Sequence, residues 1–519
     1  MENKNTETKF STVKKGETYT ECAAEYILPD YKGDVKRVLH TEAKALPSGS
    51  FVDSTEAEFD GVVVFDVLYL DSENRLSSVT FSTDYSLKAP VDQTSVGVHT
   101  ECSAENVSVR LPGPRKMLGR CTVRHKVYDE CEVCCAAMGS TFDEKSQPEL
   151  CKSSVNALRT LRAKLSDREY AEELMFIPGA ALDDVEVIAK RGDVRINSVS
   201  ARTEGVSISG EISVSALIGG ENPYVKECTF PFEENVTLSG ASEGMSALAK
   251  GELVSLECAG SPTDDGVRIS VSAIADFDVC AYSNDSVSVV SDAYSAVAET
   301  ENKYENMKYG EFLDAKRSSS RLSREIPKVE SDAECAKDIV YVSATARADS
   351  IKIETSSVKI EGEVRFSGVA CEFYEDGTPT YTSLKFSVPF SESVNFNLQI
   401  PEDAAVECCI ECYNARISVD NDNFYAECEL CFNAVLCAER EMERLASSEV
   451  IDGSYSERPA SVISVYYPED TDTLFGVAKR FKVSPLKLAQ DNALTEESVS
   501  MQNKTSSLVG VKKLIVKNT

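Results

Sequence analysis

FDGVVVFDVLYL, residues 59–70, is a largely apolar, glycine-centred stretch with two counterparts further along the chain. These are ISGEISVSALI at 208–218 and IEGEVRFSGVACEF at 360–373. Their central glycines recur at intervals of 149 and 152 residues, at Gly61, Gly210 and Gly362. Apolar residues that alternate with a period near two are typical of half-buried β-strands. The three stretches therefore predict one strand that occurs three times.

Other landmarks repeat with the same spacing. An acidic residue, an apolar run and a proline come together three times, at intervals of 149 residues, ending at Pro29, Pro178 and Pro327. Cysteines follow the same register, with intervals of 149 and 157 residues, at Cys131, Cys280 and Cys437. Each copy closes with two alternating stretches joined by PGP, DDG or DND, which are turn signals of β-hairpins. The chain therefore contains an internal triplication.

The predicted fold is mainly β. Short strands between turn signals favour three tandem β-sandwich-like units, or partly closed barrels, followed by a small βααβ module. The expected boundaries are 20–150, 165–298, 315–440 and 461–519. A chain of 519 residues is long enough for three to four such domains.

The segments between the units carry different patterns. A helical connector is predicted over 153–175, where apolar residues follow helical spacing. The charged, serine-rich stretch 299–323 is predicted to be a linker, and 439–446 to be a short helix. A flexible tether is expected over 447–461, before the last module.

Composition and charge restrict the functional classes. The net charge is −32, which repels phosphate backbones and anionic lipid and so argues against nucleic-acid binding. The last 60 residues carry a net charge of +2, so the preceding body sums to −34. No signal sequence or stretch of about 18 apolar residues is visible, so we expect a cytoplasmic protein without membrane insertion.

The cysteines offer one candidate metal site. Cys409, Cys412, Cys428 and Cys431 have the C-x2-C-x15-C-x2-C spacing of zinc sites. Each pair lies in a strand pattern, however, where residues i and i+3 point to opposite faces. We therefore favour reduced cysteines that act as small apolar side chains, and expect neither metal nor cofactor.

Catalytic signatures are sparse. The three histidines, His40, His99 and His125, all lie in the first unit. No nucleophile elbow, phosphate-binding loop or HExxH motif is present. The sequence therefore favours a non-enzymatic protein.

The C-terminal region changes character. A strand at SVISVYY precedes two short helical patterns and a closing strand at LVGVKKLIV. Asp470, Thr471 or Asp472 is expected to cap the first helix, and Ser484 to cap the second with Pro485 at its first position. The expected core residues are Leu474, Val477, Ala478, Phe481 and Leu488.

This region resembles a LysM module. The matching residues are Asp472, Thr473, Leu474, Ala478, Phe481 to Ser484, Leu488, Asn492, Leu508, Gly510, Leu514 and Val516. Thr471 replaces a glycine usual in the family, and the stretch after Asn492 is longer than its norm. Both departures fall in loops that form the glycan groove of carbohydrate-binding LysM modules, so the resemblance implies a protein partner more than a sugar.

The repeats resemble the SPOCS domain of sporulation proteins, chiefly in ILPDYKGDVKRVLHTEAKAL and FDGVVVFDVLYLDSENRL. SPOCS repeats with a terminal LysM module are the arrangement of the SipL-like family of clostridial spore morphogenesis proteins. The resemblance implies a mother-cell protein at the forespore surface. In that family the LysM module binds the morphogenetic ATPase SpoIVA, and together they anchor the spore coat.

Partner contacts are expected from exposed loop residues near the helix starts and from basic side chains on the helices. The candidate residues are Pro468, Glu469, Asp470, Thr471, Asp472, Thr473, Lys479, Lys482 and Lys487. The three lysines are equally compatible with an ordinary solvated face. Two alternative functions stay open: peptidoglycan or chitin binding through the module, and self-assembly of the β-repeats into a shell.

Overall fold

The computed structural model describes the chain from Thr8 to Asn518. It leaves out 54, 136–138, 141–147, 183–184, 220–222, 332, 374–377, 421, 456–461, 495–507 and 509. Strands make up most of the described chain, which confirms the mainly β fold. They form three units with one plan, followed by a small C-terminal module.

The first unit consists of six strands in two antiparallel sheets. The strands are β1 (Thr8–Ile27), β2 (Val35–Val52), β3 (Glu56–Asp71), β4 (Leu76–Pro90), β5 (Ser95–Gly113) and β6 (Lys116–Cys135). One sheet has the order β1–β6–β5 and the other the order β2–β3–β4. Phe59, Phe65 and Met117 belong to the apolar core of this unit, which is a two-layer sandwich.

The second and third units repeat this plan. A two-residue strand, β7 (Gly139–Ser140), precedes them and pairs in parallel with the last strand of the third unit. The second unit contains β8 (Pro148–Pro178), β9 (Val187–Arg202), β10 (Gly205–Ile218), β11 (Tyr224–Thr237), β12 (Ser246–Thr263) and β13 (Gly266–Ser295). The third contains β14 (Thr300–Pro327), β15 (Asp338–Ile353), β16 (Ser357–Phe373), β17 (Pro379–Asn395), β18 (Ala404–Val419) and β19 (Asn423–Val450).

The sheet orders confirm the triplication. The second unit has β12–β13–β8 and β11–β10–β9, and the third has β14–β19–β18 and β15–β16–β17. These are the orders of the first unit with the strands renumbered. The predicted PGP and DDG turns join β5 to β6 and β12 to β13. Asn421 of the predicted DND turn lies outside the described residues; on either side of it the Asp420 N–H donates to the Asn423 carbonyl oxygen at 3.0 Å, between β18 and β19.

The repeated glycine is required by a close approach of two strands. Gly210 on β10 lies opposite Phe232 on β11 and beside the backbone of Arg195 on β9. A Cβ at Gly210 would lie 2.7 Å from Cζ of Phe232 and would overlap the carbonyl oxygen of Arg195. Gly362 stands in the same relation to Phe390. The aromatic ring crosses over the glycine, so no larger residue fits.

The three units close into a ring around a central axis. β4 packs on β9, β11 on β15 and β17 on β2, so each unit offers the same two strands to its neighbours. Leu68, Leu217 and Val369 come from the three units and are buried in one apolar cluster. Sequence analysis had predicted the units but not this closure.

Polar contacts also cross between the units near the axis. The Tyr341 hydroxyl of the third unit donates to Glu42 Oε2 of the first, at 3.2 Å. Arg191 Nη1 of the second unit donates to the Val342 carbonyl oxygen of the third, at 2.7 Å. The ring is therefore joined by apolar burial and by directed hydrogen bonds.

The predicted helical connector over 153–175 is wrong, because the whole segment belongs to strand β8. Buried or half-buried apolar side chains alternate along it at Val155, Ala157, Leu161, Ala163 and Leu165. The larger apolar residues of the segment, Val155, Leu158, Leu161 and Leu165, taken alone mimic helical spacing. Counting the alanines reveals the period of two, and β13 supplies the hydrogen-bond partners along the full length.

Two further connecting segments are also strands. The predicted linker 299–323 belongs to β14, which pairs with β19 from Thr300 to Pro327. The predicted short helix 439–446 lies within β19. β14 is an edge strand with many exposed residues, so its composition resembles that of a linker.

The described residues of the C-terminal module run in the order strand, helix, helix, strand. Its elements are β20 (Val462–Tyr466), α1 (Leu474–Phe481), α2 (Pro485–Asp491) and β21 (Leu514–Asn518). The two strands pair antiparallel. Four of the five expected core residues, Leu474, Val477, Ala478 and Leu488, are buried, and Phe481 is half-buried against them.

Candidate docking site on the C-terminal module

The loop 468–473 is ordered by its own polar side chains. Thr473 caps α1, since its Oγ1 accepts a hydrogen bond from the Gly476 N–H at 3.0 Å. The expectation that Asp470, Thr471 or Asp472 caps this helix is therefore wrong. Ser484 does occupy the cap position of α2, with Pro485 at its first position, as predicted.

Asp472 has a different role. Its Oδ2 accepts hydrogen bonds from the Glu469 N–H and the Tyr466 hydroxyl, both at 2.8 Å. These donors and the nearby Arg480 hold the pKa of the Asp472 carboxyl below its usual value. Because this carboxylate is already engaged by the loop, it cannot also cap the helix.

Two of the candidate lysines face the body of the protein. Lys479 Nζ forms an ion pair with Asp292 Oδ2 of β13 at 2.7 Å, and Lys482 pairs with Glu299. Beside them, the Tyr294 hydroxyl donates to the Val483 carbonyl oxygen at 2.6 Å. These contacts fasten one side of the module to the end of the second unit.

Apolar packing supports the same attachment. The Tyr294 ring lies edge-on to Phe475 of α1, with centroids 5.2 Å apart. Tyr294 is buried in the core cluster of the module, and burial raises the pKa of its hydroxyl. A residue of the second unit thus completes the core of the C-terminal module.

The other candidates differ in exposure. Glu469, Asp470 and Thr471 are exposed, and Lys487 is exposed on α2. Pro468 is half-buried at the start of the loop. The nine candidates therefore divide into an outward loop, one lysine of α2, and two lysines that hold the module in place.

Sequence analysis missed an exposed apolar face on the first strand of the module. Ile463, Val465 and the next residue in the series, Tyr467, are 67%, 54% and 70% exposed. They alternate with Tyr466, which is half-buried against the module core. The sequence SVISVYY did indicate this face, because the residues that alternate with its core-facing positions are apolar, not polar. We call Ile463, Val465 and Tyr467 the outer strand face.

Asn492 joins the second helix to the closing strand. Its Nδ2 donates to the carbonyl oxygens of Leu488 and Ile515, at 2.8 and 2.7 Å. Its Oδ1 accepts from the Ile515 N–H at 2.6 Å. This side chain therefore holds β21, and with it the partner strand β20, in position.

The cysteines of the third unit are split between two faces of one sheet. Cys412 and Cys428 face the core of the unit, while Cys409 and Cys431 belong to the opposite alternation on β18 and β19. The predicted opposite orientation at i and i+3 is confirmed. No group of three metal-ligating side chains in reach of one ion occurs in the described part of the chain.

The histidines do not form a common site. His125 is fully buried against Phe59 and hydrogen-bonded to Tyr85, at 3.0 Å. His40 lies near the ring axis, 2.9 Å from the Ser367 hydroxyl. His99 lines a cavity between the units.

Comparison of the chain with known protein families, curated proteins and solved structures found no match. Among the helices of the described residues, none has the length and apolar character needed to cross a membrane.

Proposed function

We propose that this chain is a non-enzymatic scaffold or adaptor that docks a protein partner through its C-terminal module. The expected partner is a spore-coat morphogenetic protein similar to the ATPase SpoIVA. The expected place is the forespore surface in the mother cell, where the complex anchors the coat. The resemblance of the repeats to SPOCS domains and of the module to LysM supports this assignment.

The asymmetry of the module carries the proposal. One side is fastened to the second unit by Lys479, Lys482 and Tyr294. Away from these contacts, the outer strand face is apolar, and it is flanked by the exposed charges of Glu469 and Asp470. An exposed apolar patch with a charged rim is typical of a protein-binding surface.

The ring supports a scaffolding role. A module attached at defined contacts presents its outer strand face in a fixed direction, so less orientational freedom is lost when a partner binds. Three similar units in one chain also allow several contacts with a shared surface. Linked contacts raise the effective concentration of each further contact.

Binding of purified full-length chain to SpoIVA tests the proposal. Tyr467→Ser removes the aromatic ring of the outer strand face and is expected to weaken binding roughly 10-fold or more. The matched control is Tyr31→Ser, since Tyr31 is 84% exposed on the first unit, and it should bind like the wild type. Equal binding by both variants and the wild type would contradict docking through this face.

Localisation in sporulating cells provides the second test. A fluorescent full-length chain should encircle the forespore, and a chain that ends at residue 455 should not. Continued encirclement by the shortened chain would refute docking through the module. Retention on purified peptidoglycan that Tyr467→Ser abolishes, without binding to SpoIVA, would establish the carbohydrate alternative.

A further inference from the structure

A cavity lies between the three units. It has a volume of about 420 Å³ and is lined by residues of all three, including Lys126, Arg162 and Glu407. This volume falls in the range of roughly 300–1,000 Å³ typical of small-molecule sites. We call it the axial cavity.

Some charges of the axial cavity are already paired by the protein. Lys164 Nζ lies 2.8 Å from Asp276 Oδ2, both on the cavity wall. Glu407 is paired with Lys15 at 2.6 Å, and Glu252 lies 3.4 Å from Lys44. These pairs need no ligand.

Four other charged residues of the lining are not paired. Lys250 and Asp278 are neighbours across β12 and β13, and Glu101 and Lys126 are neighbours across β5 and β6. All four line the cavity. Within the described ranges, none of them has an opposite charge within ion-pair distance. Two cations and two anions therefore face one cavity without direct ion-pair partners. Glu101, Lys126 and Lys250 are half-buried there, and Asp278 is exposed at its edge.

The chemical state of these groups favours a charged ligand. Burial alone would lower the pKa of Lys250, but Cys409, Glu252 and Glu101 outweigh it and hold the pKa above its usual value. The ammonium group is therefore charged at neutral pH. An ionised group that is partly withdrawn from water gains further stability from an opposite charge or from hydrogen bonds.

The rest of the lining adds neutral polar surface. Burial lowers the pKa of His99 to about 4, so its imidazole is uncharged at neutral pH. Burial likewise keeps the Tyr282 hydroxyl protonated by raising its pKa. Arg162 stacks over the Tyr128 ring at 4.8 Å from the centroid. A ligand with a single charge could pair with either the two lysines or the two carboxylates of the lining. A ligand with both charges could pair with all four residues.

We propose that the axial cavity binds a small zwitterion, an amino acid or a short unmodified peptide. Its ammonium group faces Glu101 and Asp278, and its carboxylate faces Lys126 and Lys250. The ligand joins strands of the first and second units, so binding stabilises the ring. This site is independent of docking through the C-terminal module.

The test uses the full-length chain and a defined set of probes. The twenty amino acids, diglycine and triglycine are screened by ligand-observed NMR, and the tightest binder is titrated by calorimetry. We expect at least one probe to bind and to raise the unfolding temperature with its concentration. The N-acetylated and the amidated forms of that probe, which each lack one charge, should bind at least 10-fold more weakly.

Two substitutions locate the site. Lys250→Met and Asp278→Asn should each weaken the probe at least 10-fold, and Lys385→Met, which removes an exposed lysine of β17, should leave affinity unchanged. Circular dichroism identifies a cavity variant that fails to fold, and the affinity of the other cavity variant then tests the site. Failure of every probe to bind the wild type overturns the proposal. The proposal is also overturned if both cavity variants bind the probe as tightly as the wild type does, or if the wild type binds the acetylated probe as tightly as the unmodified one.

Discussion

Lys479 of α1 forms an ion pair with Asp292 of β13, with Nζ 2.7 Å from Oδ2. The Tyr304 hydroxyl and the Asn302 amide of β14 also donate to Asp292, at 2.8 and 3.1 Å. One carboxylate thus joins the C-terminal module to the strands where the second and third units meet. The module is attached to the body at a defined place.

The first prediction concerns this attachment. Asp292→Asn removes the negative charge, and we expect it to weaken docking of the module by up to about 1 kcal/mol, since Lys479 is partly exposed. Tyr294→Phe should also weaken docking of the module, by about 1 kcal/mol, because it deletes the hydrogen bond to the Val483 carbonyl. Hydrogen exchange of the α1 amides measures both effects.

A matched control is available on the same strand. Asp285 of β13 pairs with Arg159 at 3.5 Å, away from the module. Asp285→Asn should leave exchange in α1 unchanged. If Asp285→Asn accelerates exchange as much as Asp292→Asn does, attachment of the module through Asp292 is wrong.

The second prediction concerns the repeated glycine. Gly210→Ala places a methyl group against Phe232 and the Arg195 carbonyl oxygen, so it should cost about 2–3 kcal/mol of unfolding free energy. The backbone oxygen cannot rotate away like a flexible side chain, so trimming Phe232 should not restore stability. Denaturant unfolding measures the change.

Gly16→Ala serves as the control for this substitution, because no heavy atom lies within 4 Å of a Cβ at Gly16. An alanine there should be neutral or slightly stabilising, since glycine within a strand is entropically unfavourable. Equal stability of the two variants would show that Gly210 is not a close-packing position.

These glycines also show what sequence reasoning could predict. The internal register revealed the units because Gly61, Gly210 and Gly362 are fixed by local packing that each copy repeats. Packing between neighbouring strands of one unit is therefore visible as a repeated sequence pattern. The alternation of apolar residues on either side of each glycine predicted the strand and the face of it that is buried.

Closure of the three units into a ring could not be predicted from any sequence pattern. Leu68, Leu217 and Val369 are apolar like any core residue, and only the structure shows that they meet one another. Likewise, β8 was mistaken for a helix because Leu158 and Leu161 fit helical spacing, while the partner that decides its structure, β13, lies about 120 residues away in the chain.

The candidate site was predicted only in part. The loop 468–473 followed from helix start signals, and Glu469 to Thr471 are exposed as expected. The orientation of Lys479 and Lys482 depends on Asp292 and Glu299 of the second unit. No local pattern contains that information.

The third prediction concerns Asn492. Asn492→Ala removes two hydrogen bonds to Ile515 of β21 and one to the Leu488 carbonyl of α2. It should destabilise the module by about 2–4 kcal/mol, since it leaves half-buried backbone groups of Ile515 unpaired. Hydrogen exchange at the Ile515 amide should accelerate most. Gln490→Ala, at an exposed position of α2, should change little, and equal effects of the two substitutions would contradict this role of Asn492.

The fourth prediction concerns pH and His125. Burial lowers the pKa of this imidazole to about 4 in the folded chain, against about 6.5 when unfolded. As the pH falls below 6.5, protons bind the unfolded chain first, so folding loses stability until the folded group also titrates. Between pH 7 and 4 the wild type should therefore lose about 3 kcal/mol more than His125→Gln.

Tyr85→Phe separates this titration from simple loss of packing. It removes the hydrogen bond to His125 Nε2 but retains the buried imidazole, so its stability should fall with pH as steeply as that of the wild type. His125→Gln should show the shallower dependence in denaturant unfolding at each pH, even if its stability at pH 7 is lower. Parallel pH curves for His125→Gln and the wild type would contradict a neutral, buried His125, because the difference in proton uptake between folded and unfolded chains would then come from other groups.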